Sequence, residues 1–154
     1  MSYVERNLTS GEKVIYNAKV HWLTFAPGSI LILAIFPVII GAENKSSEGA
    51  GIIGLILLCL GSLFLIRAFF IKISTELTVT SKRVVAKIGL VRRTTMELNH
   101  RQVESFSIRQ GLLGRILGYG TIVVNGTGGG RIPVRGIGSP LEFRRRAMET
   151  IDQE

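Results

Sequence analysis

Cysteine is almost missing from this chain: Cys59 is the only one. A disulfide framework is therefore excluded, and a lone thiol inside an apolar stretch reads as a small packing residue. Histidine is nearly as scarce. His21 and His100 are the only two, they lie on opposite sides of the apolar blocks, and no paired His or Cys spacing offers a metal site. No serine sits in a nucleophile-elbow sequence, and Glu97 and Glu104 read as surface partners for arginines rather than as an acid/base pair. These absences leave no candidate catalytic residue, no metal site and no cofactor, and argue for a chain that is not an enzyme. Aromatic residues make up only 7%. From Lys72 onward they are Phe106, Tyr119 and Phe143, too few for the stacking platforms that bind single-stranded nucleic acid. No recognition-helix motif appears either. Gly126 to Gly130 lacks the Lys-Ser/Thr of a phosphate-binding loop and reads as a hairpin turn.

Charge is absent where length makes its absence informative. Trp22 to Ala42 carries no formal charge, and Ile52 to Ile71 carries only Arg67, one turn from its end. Twenty apolar residues make about 30 Å of helix, the thickness of a hydrocarbon core. Residues 22–42 and 51–71 therefore read as a transmembrane hairpin, with Pro37 kinking the first span. A cleaved leader ending at Ile40-Gly41-Ala42 is one rival reading, but it would be unusually long and its flank is not concentrated in basic residues. A buried hairpin of a soluble protein is a second, which the length and absence of charge oppose. Neither span contains Asp, Glu or His, which argues against a transporter or pump, since proton and ion pathways are built from such groups at depth. Gly54, Gly61 and Ser62 are small enough to let helices approach closely, in the hairpin or in self-association.

What the chain has in excess is positive charge, +8 over its 154 residues. Fourteen Lys and Arg against seven Asp and Glu fall from Lys72 onward, leaving +7 in that portion. The polar loop at 43–50 has one Lys against two Glu, whereas Arg6, Lys13 and Lys19 precede the first span and Arg67, Lys72, Lys82, Arg83 and Lys87 follow or end the second. Lys and Arg sort to the cytoplasmic side, so both termini are expected inside and only 43–50 outside. Trp22, Phe25, Phe69 and Phe70 fall at the same interface, and Arg67 can snorkel to it. The division expected is an N-terminal segment 1–21, the hairpin 22–71, and a basic cytoplasmic domain 72–154 beside anionic headgroups.

From Thr75 the apolar period becomes two. Leu77/Val79, then Val84/Ala86/Ile88, then Val91 to Leu98, then Val103/Phe106/Ile108 read as four strands, and Thr121 to Asn125 and Arg131 to Arg135 as two more. Lys13 to Val20 fits either a short strand or an amphipathic approach to the membrane. Gly111 to Gly120, with Leu112, Leu113, Ile116 and Leu117, suggests one helical turn or a folded loop. Ser139, Pro140 and Glu142 fit the N-cap, N1 and N3 positions of a helix with a capping box. Leu141, Phe143, Ala147, Met148 and Ile151 are its expected packing face. The fold class read from this is α+β: a helical membrane hairpin, then a small antiparallel barrel or sandwich closed by a C-terminal helix.

That order resembles the bacterial PH-like domains of the membrane-flanked YdbS/YdbT type. The matching text is LTVTSKRVVAKIGLVRRTTMELNHRQVESFSIRQGLLGRILGYGTIVV followed by GIGSPLEFRRR, about half the chain, plus the preceding hairpin. The resemblance departs mildly at Asn99. It implies a bent antiparallel barrel plugged by its last helix, with Gly89, Gln110, Leu113, Gly114, Arg115, Gly118, Tyr119 and Gly120 as structural motif residues. In lipid-binding PH domains the loop between the first two strands carries the basic pocket. This implies Lys82 and Arg83, with Lys72, Arg92 and Arg93, as candidate headgroup ligands. For the bacterial relatives it implies partner binding and self-assembly ahead of inositol lipid recognition.

Two functional readings follow: an adaptor or assembly subunit that binds protein partners, itself included, at the inner face of a bacterial cytoplasmic membrane, and a sensor of anionic lipid headgroups. A lipid-acting enzyme would need a polar cleft with a perturbed acid or histidine, for which there is no candidate. The membrane lipid and an unidentified protein are the expected partners, nucleic acid is not. A reporter enzyme fused after Glu154 should be active only in the cytoplasmic compartment, and activity only outside it would overturn the hairpin topology.

Overall fold

A computed structural model describes residues 3–43, 48–90 and 92–153. Most of the expected polar loop, 44–47, and Val91, the expected start of the third strand, lie outside the described residues. Two units are present: Trp22–Ile71, and Met1–His21 together with Lys72–Glu154.

The first unit is helical. A short 3₁₀ turn, Trp22–Phe25, leads into α2 (Ala26–Leu33) and α3 (Ile35–Glu43), and α4 (Glu48–Ser74) follows, α1 (Tyr3–Arg6) being an N-terminal turn of the second unit. The break at Ala34 has a clear cause. Pro37 has no N–H to donate to the Leu33 carbonyl four residues earlier, and its ring crowds that carbonyl. The interruption expected at Pro37 thus appears as a break at Ala34, one turn upstream of the proline itself. Trp22–Gly41 and Gly49–Ser74 are each long and apolar enough to cross a membrane, and only 6% of either is buried within the protein. Leucines and isoleucines along both face outward.

Gly28 of α2 and Gly61 of α4 let the two helices approach closely. A Cβ on Gly61 would stand 2.7 Å from Ile32 Cγ1 and 3.3 Å from the Gly28 carbonyl oxygen. One on Gly28 would stand 2.8 Å from Leu65 and 3.0 Å from the Gly61 carbonyl oxygen. Gly54, by contrast, has open space around it.

The second unit is two antiparallel sheets. β1 (Val14–Ala18), β2 (Glu76–Thr80), β3 (Arg83–Ile88) and β4 (Thr94–Asn99) form one in that order, and β5 (Val103–Arg109), β6 (Tyr119–Gly126) and β7 (Arg131–Gly138) form the other. The sheets are joined beside β1 by the Val20–Ile137 bridge, with the Gly138 N–H donating to the Lys19 carbonyl (2.9 Å) and the His21 N–H to the Gly136 carbonyl (2.7 Å). Between them lies a core of Leu77, Val79, Val84, Ala86, Ile122, Val124, Val134 and Ile137, every one essentially sealed from solvent. The period-two pattern in the sequence is this inward-facing set.

Residues 14–18, which the sequence left between a strand and an amphipathic approach, are an integral strand. The folded unit therefore takes in 1–21 as well as 72–154. α1 (Tyr3–Arg6) lies on the outer face of the first sheet, where the Tyr3 and Val4 N–H groups donate to the Glu76 carboxylate at 3.0 and 3.4 Å. Lys87 Nζ stands 4.5 Å from the centre of the Tyr3 ring.

α6 (Pro140–Ile151) closes the core. Phe143 is fully buried and meets Phe106 and Tyr16 edge-on at 5.7 and 6.1 Å between ring centres. Two expectations about this helix are corrected. Its packing stripe is Phe143, Ala147 and Ile151, while Leu141 and Met148 are exposed. Leu141 is two residues, about 200°, from Phe143 and Met148 is about 100° from Ala147, so neither shares the stripe. Nor does a capping box form. Pro140 does occupy the first turn, but Ser139 sits at φ 50°, in the left-handed region, and its hydroxyl makes no cap bond. The Ser139 N–H that Glu142 would have reached instead donates to the Gly118 carbonyl at 2.7 Å. The Glu142 carboxylate turns to Arg145 and Arg146, at 2.7 and 2.9 Å.

Replacing Gly61 by Leu should destabilise the helical unit by about 1–3 kcal/mol through overpacking. Gly54→Leu should change little. Thermal unfolding of the full chain in detergent measures both, and equal effects would remove the close-approach role of Gly61.

Candidate functional site

The register of the first sheet sorts its loops to two ends. Ala18, Leu77, Ala86 and Met96 pair in succession across the four strands. Beyond that row, in one direction, come Lys19 to His21, Lys72 to Thr75 and the turn Gly89 to Arg93. This is the end at which the chain passes to and from the apolar segment, here termed the crossing end. In the other direction lie Lys13, Ser81, Lys82 and His100, at the far end.

The five basic residues proposed as headgroup ligands do not gather at one place. Lys72, Arg92 and Arg93 belong to the crossing end, and Lys82 and Arg83 to the far end. Gly89 enables the turn that presents Arg92 and Arg93: its φ is +93°, and a Cβ there would collide with the Arg92 carbonyl oxygen. Arg92 and Arg93 are exposed. Lys82 Nζ donates to the Ser10 carbonyl at 2.9 Å.

Arg83 is held in a network that the sequence concealed. Its Nε and Nη2 donate to the two oxygens of Glu12 (2.9 and 3.0 Å), Nη1 to Glu97 (2.6 Å) and Nη2 also to the Asn7 carbonyl (2.7 Å). The Glu12 side chain is fully buried. It further accepts from the Thr9 N–H and hydroxyl, both at 2.8 Å, and from the Thr80 hydroxyl at 2.7 Å. Burial by itself would raise the pKa of Glu12. The Thr9 N–H, the Thr80 hydroxyl and the Arg83 guanidinium outweigh it and bring the group from 4.5 down to about 2. The pairing with Glu12 raises Arg83 in turn. Such a guanidinium is already committed by charge-assisted bonds and is not a free ligand for a phosphate. Glu12 is the structural residue that sequence reasoning missed. Its only local signal was a lone acid after Ser10-Gly11, because the partner lies 71 positions away.

His100 is buried at the same far end, with Nε2 3.1 Å from the Thr80 carbonyl oxygen. A carbonyl only accepts, so this nitrogen carries the proton. His21 stacks on Tyr119 at 5.5 Å between ring centres. Both histidines thus serve the fold of the β unit, and among the described residues no group of acids, histidines and cysteines could hold a metal.

At the crossing end a groove of about 350 Å³ is lined by Asn17, Lys19, Val20, Lys72, Thr75 and Glu76. The motif 110–120 lies at this end too, because Tyr119 and Gly120 pair with Gly138 and Ile137 beside Lys19 and Val20. It contains α5 (Leu112–Leu117). The Gln110 side-chain amide clamps that helix by donating to the Gly114 and Tyr119 carbonyls, at 3.2 and 3.0 Å. A Cβ on Gly114 would stand 2.6 Å from the Tyr119 carbonyl oxygen, and Gly118 caps the helix at φ 72°. Gly120 passes Gln110 just as closely. Gln110, Gly114, Gly118, Tyr119 and Gly120 are thus joined in one backbone clamp, whereas Leu113 and Arg115 of the same motif point outward and are exposed.

Two apolar helices, an antiparallel barrel of two sheets and a plugging C-terminal helix define a PH-like fold, a class of module that binds lipids or proteins and is typically without catalytic activity. The sequence model of the family described as Bacterial PH domain matches residues 28–150, most of the chain, and the protein belongs to that family. No curated protein and no solved structure matches it.

Because the pKa of Glu12 is depressed, its contribution to stability is complete above about pH 4.5 and is lost as pH falls toward 2. The shift corresponds to something on the order of 3 kcal/mol. Glu12→Gln should unfold more easily at pH 7 and show a flatter loss of stability between about pH 4.5 and 2. Parallel melting curves for the two proteins across that window would contradict the network's role.

Proposed function

We propose that the protein is a membrane-anchored, non-catalytic adaptor, whose β unit binds a protein partner at the inner face of a bacterial cytoplasmic membrane. The single observation that carries this reading is an opening in the barrel. β4 and β5 each pair on one side only, and no ladder joins them. An unpaired strand offers a row of backbone N–H and C=O groups to an incoming extended segment, and main-chain pairing of this kind is a recurrent way to bind peptides. β4 shows Thr94, Thr95, Glu97 and Asn99 to solvent and β5 shows Glu104, Ser105, Ser107 and Arg109, so both edges are polar, accessible and free of proline. Anchoring supports the reading as well. A module fixed in the plane of a membrane meets its partner at high effective concentration, so a modest edge contact suffices, and a second copy is a possible occupant.

Anionic headgroup binding is the second reading, and the placement of charge favours one version of it. Lys72, Arg92 and Arg93 share the crossing end with Lys19 and its groove, whereas Lys82 and Arg83 stand at the far end with bonds of their own. Headgroup contact would then run through Lys19, Lys72, Arg92 and Arg93.

Photo-crosslinking residues at Thr95 and at Ser107, one on each open edge, should give discrete adducts in native membranes. The same residue at Thr127, in the β6–β7 turn, should give none. Adducts of twice the chain mass would identify a second copy as the occupant and other masses a different protein. Equal labelling from all three positions, or from none, would overturn the edge reading.

A further inference from the structure

We propose that α5 is a membrane wedge: Leu112, Leu113 and Ile116 enter the acyl region of an anionic bilayer while Arg115 and Arg109 meet the phosphates at its surface. Exposure motivates the idea. Leu112, Leu113, Ile116 and Leu117 are 81, 65, 78 and 40% exposed, in a unit whose other aliphatic side chains mostly fill the core. At 100° per residue these four occupy an arc of about 140°, with Gly114 on the inner side and Arg115 on the flank. The apolar face is held out by construction. The Gln110 clamp, the left-handed cap at Gly118 and the Ser139 bond to the Gly118 carbonyl tie down the helix backbone.

Position and charge select the occupant. α5 hangs at the crossing end, the end from which His21 leads into one apolar helix and to which α4 returns. Leu90, after β3, and Leu141, at the start of α6, are also exposed at this end, at 41 and 56%. Between Glu104 and Glu142 there is no acidic residue, while Arg109, Arg115, Arg131 and Arg135 are present. Of these, Arg115 lies on α5 and Arg109 ends β5 just before it, while Arg131 is bonded to Asn125 at the other end of β7. Aliphatic side chains flanked by arginine are the chemistry of an element that lies in a lipid interface and prefers anionic lipid. A second copy fits less well. One short helix about 9 Å long cannot supply the roughly 1,200 Å² that stable protein contacts bury.

The proposal rests on the membrane-anchored reading, and the experiment separates the two. In a Cys59→Ser background, single cysteines replacing Leu113, Thr127 or Leu55 carry an environment-sensitive dye. The full chain is reconstituted in vesicles of phosphatidylcholine with one third, roughly, of phosphatidylglycerol, as suits a basic interfacial element. Nitroxide-bearing lipid should quench the dyes at 113 and at 55, the former at least about twice as strongly as at 127, and emission at 113 should be blue-shifted relative to 127. Omitting phosphatidylglycerol, or adding Arg109→Gln with Arg115→Gln, should reduce quenching at 113 and leave that at 55 unchanged. Quenching at 55 with none at 113 overturns the wedge alone, and quenching at neither overturns the anchoring as well. A blue shift at 113 without lipid quenching means that protein covers the tip, and also overturns the wedge.

Discussion

The pairing of β1 with β2 is the constraint on which the architecture turns. Ala18 and Leu77 stand opposite each other in one ladder, a strand spacing of about 4.8 Å, although nearly sixty residues of mostly apolar chain separate them. The apolar segment is thus an insertion between two neighbouring strands of one sheet. Whatever it does, it must return to the point from which it left. A segment that crosses a bilayer under that condition must cross an even number of times, and two helices are the smallest solution. The break before Pro37 and the glycine contact between α2 and α4 both belong to that inserted segment.

The same closure sorts charge by position. Basic residues are spread over the whole β unit, but they differ in what they can still do. At the far end Arg83 is occupied by Glu12, Glu97 and the Asn7 carbonyl. Removing either partner would strand the other as an uncompensated buried charge, so the pair acts as a fastener between the N-terminal segment and the sheet. At the crossing end the turn at Gly89 and the motif 110–120 project Arg92, Arg93 and Arg115 away from the barrel. The number of arginines therefore says less about binding than the end at which each is displayed.

Much of this was legible along the chain. The six strands after Thr75, the C-terminal helix and the two apolar helices each follow from a local period, because alternation and helical stripes are imprinted on neighbouring residues. The resemblance to bacterial PH-like domains rested on the text around 77–124, and it agrees with the family to which the chain belongs. Errors arose where a residue's role depends on something distant. Ser139 has the composition of a cap, yet the carbonyl of Gly118 claims its N–H and holds its backbone left-handed. Lys13 to Val20 is too short to declare itself, and becomes a strand only because β2 presents an open edge to it.

By itself, the sequence determined which segments are apolar throughout, which alternate, and where the glycines must bend the backbone. These are properties of adjacent residues and need no knowledge of what folds against what. Tertiary structure alone decided that Glu12 neutralises Arg83, that the five basic candidates divide between two ends, and that Leu112, Leu113 and Ile116 point outward. Each of those depends on residues far apart in the chain meeting in space, and local pattern holds no information about which distant group will arrive.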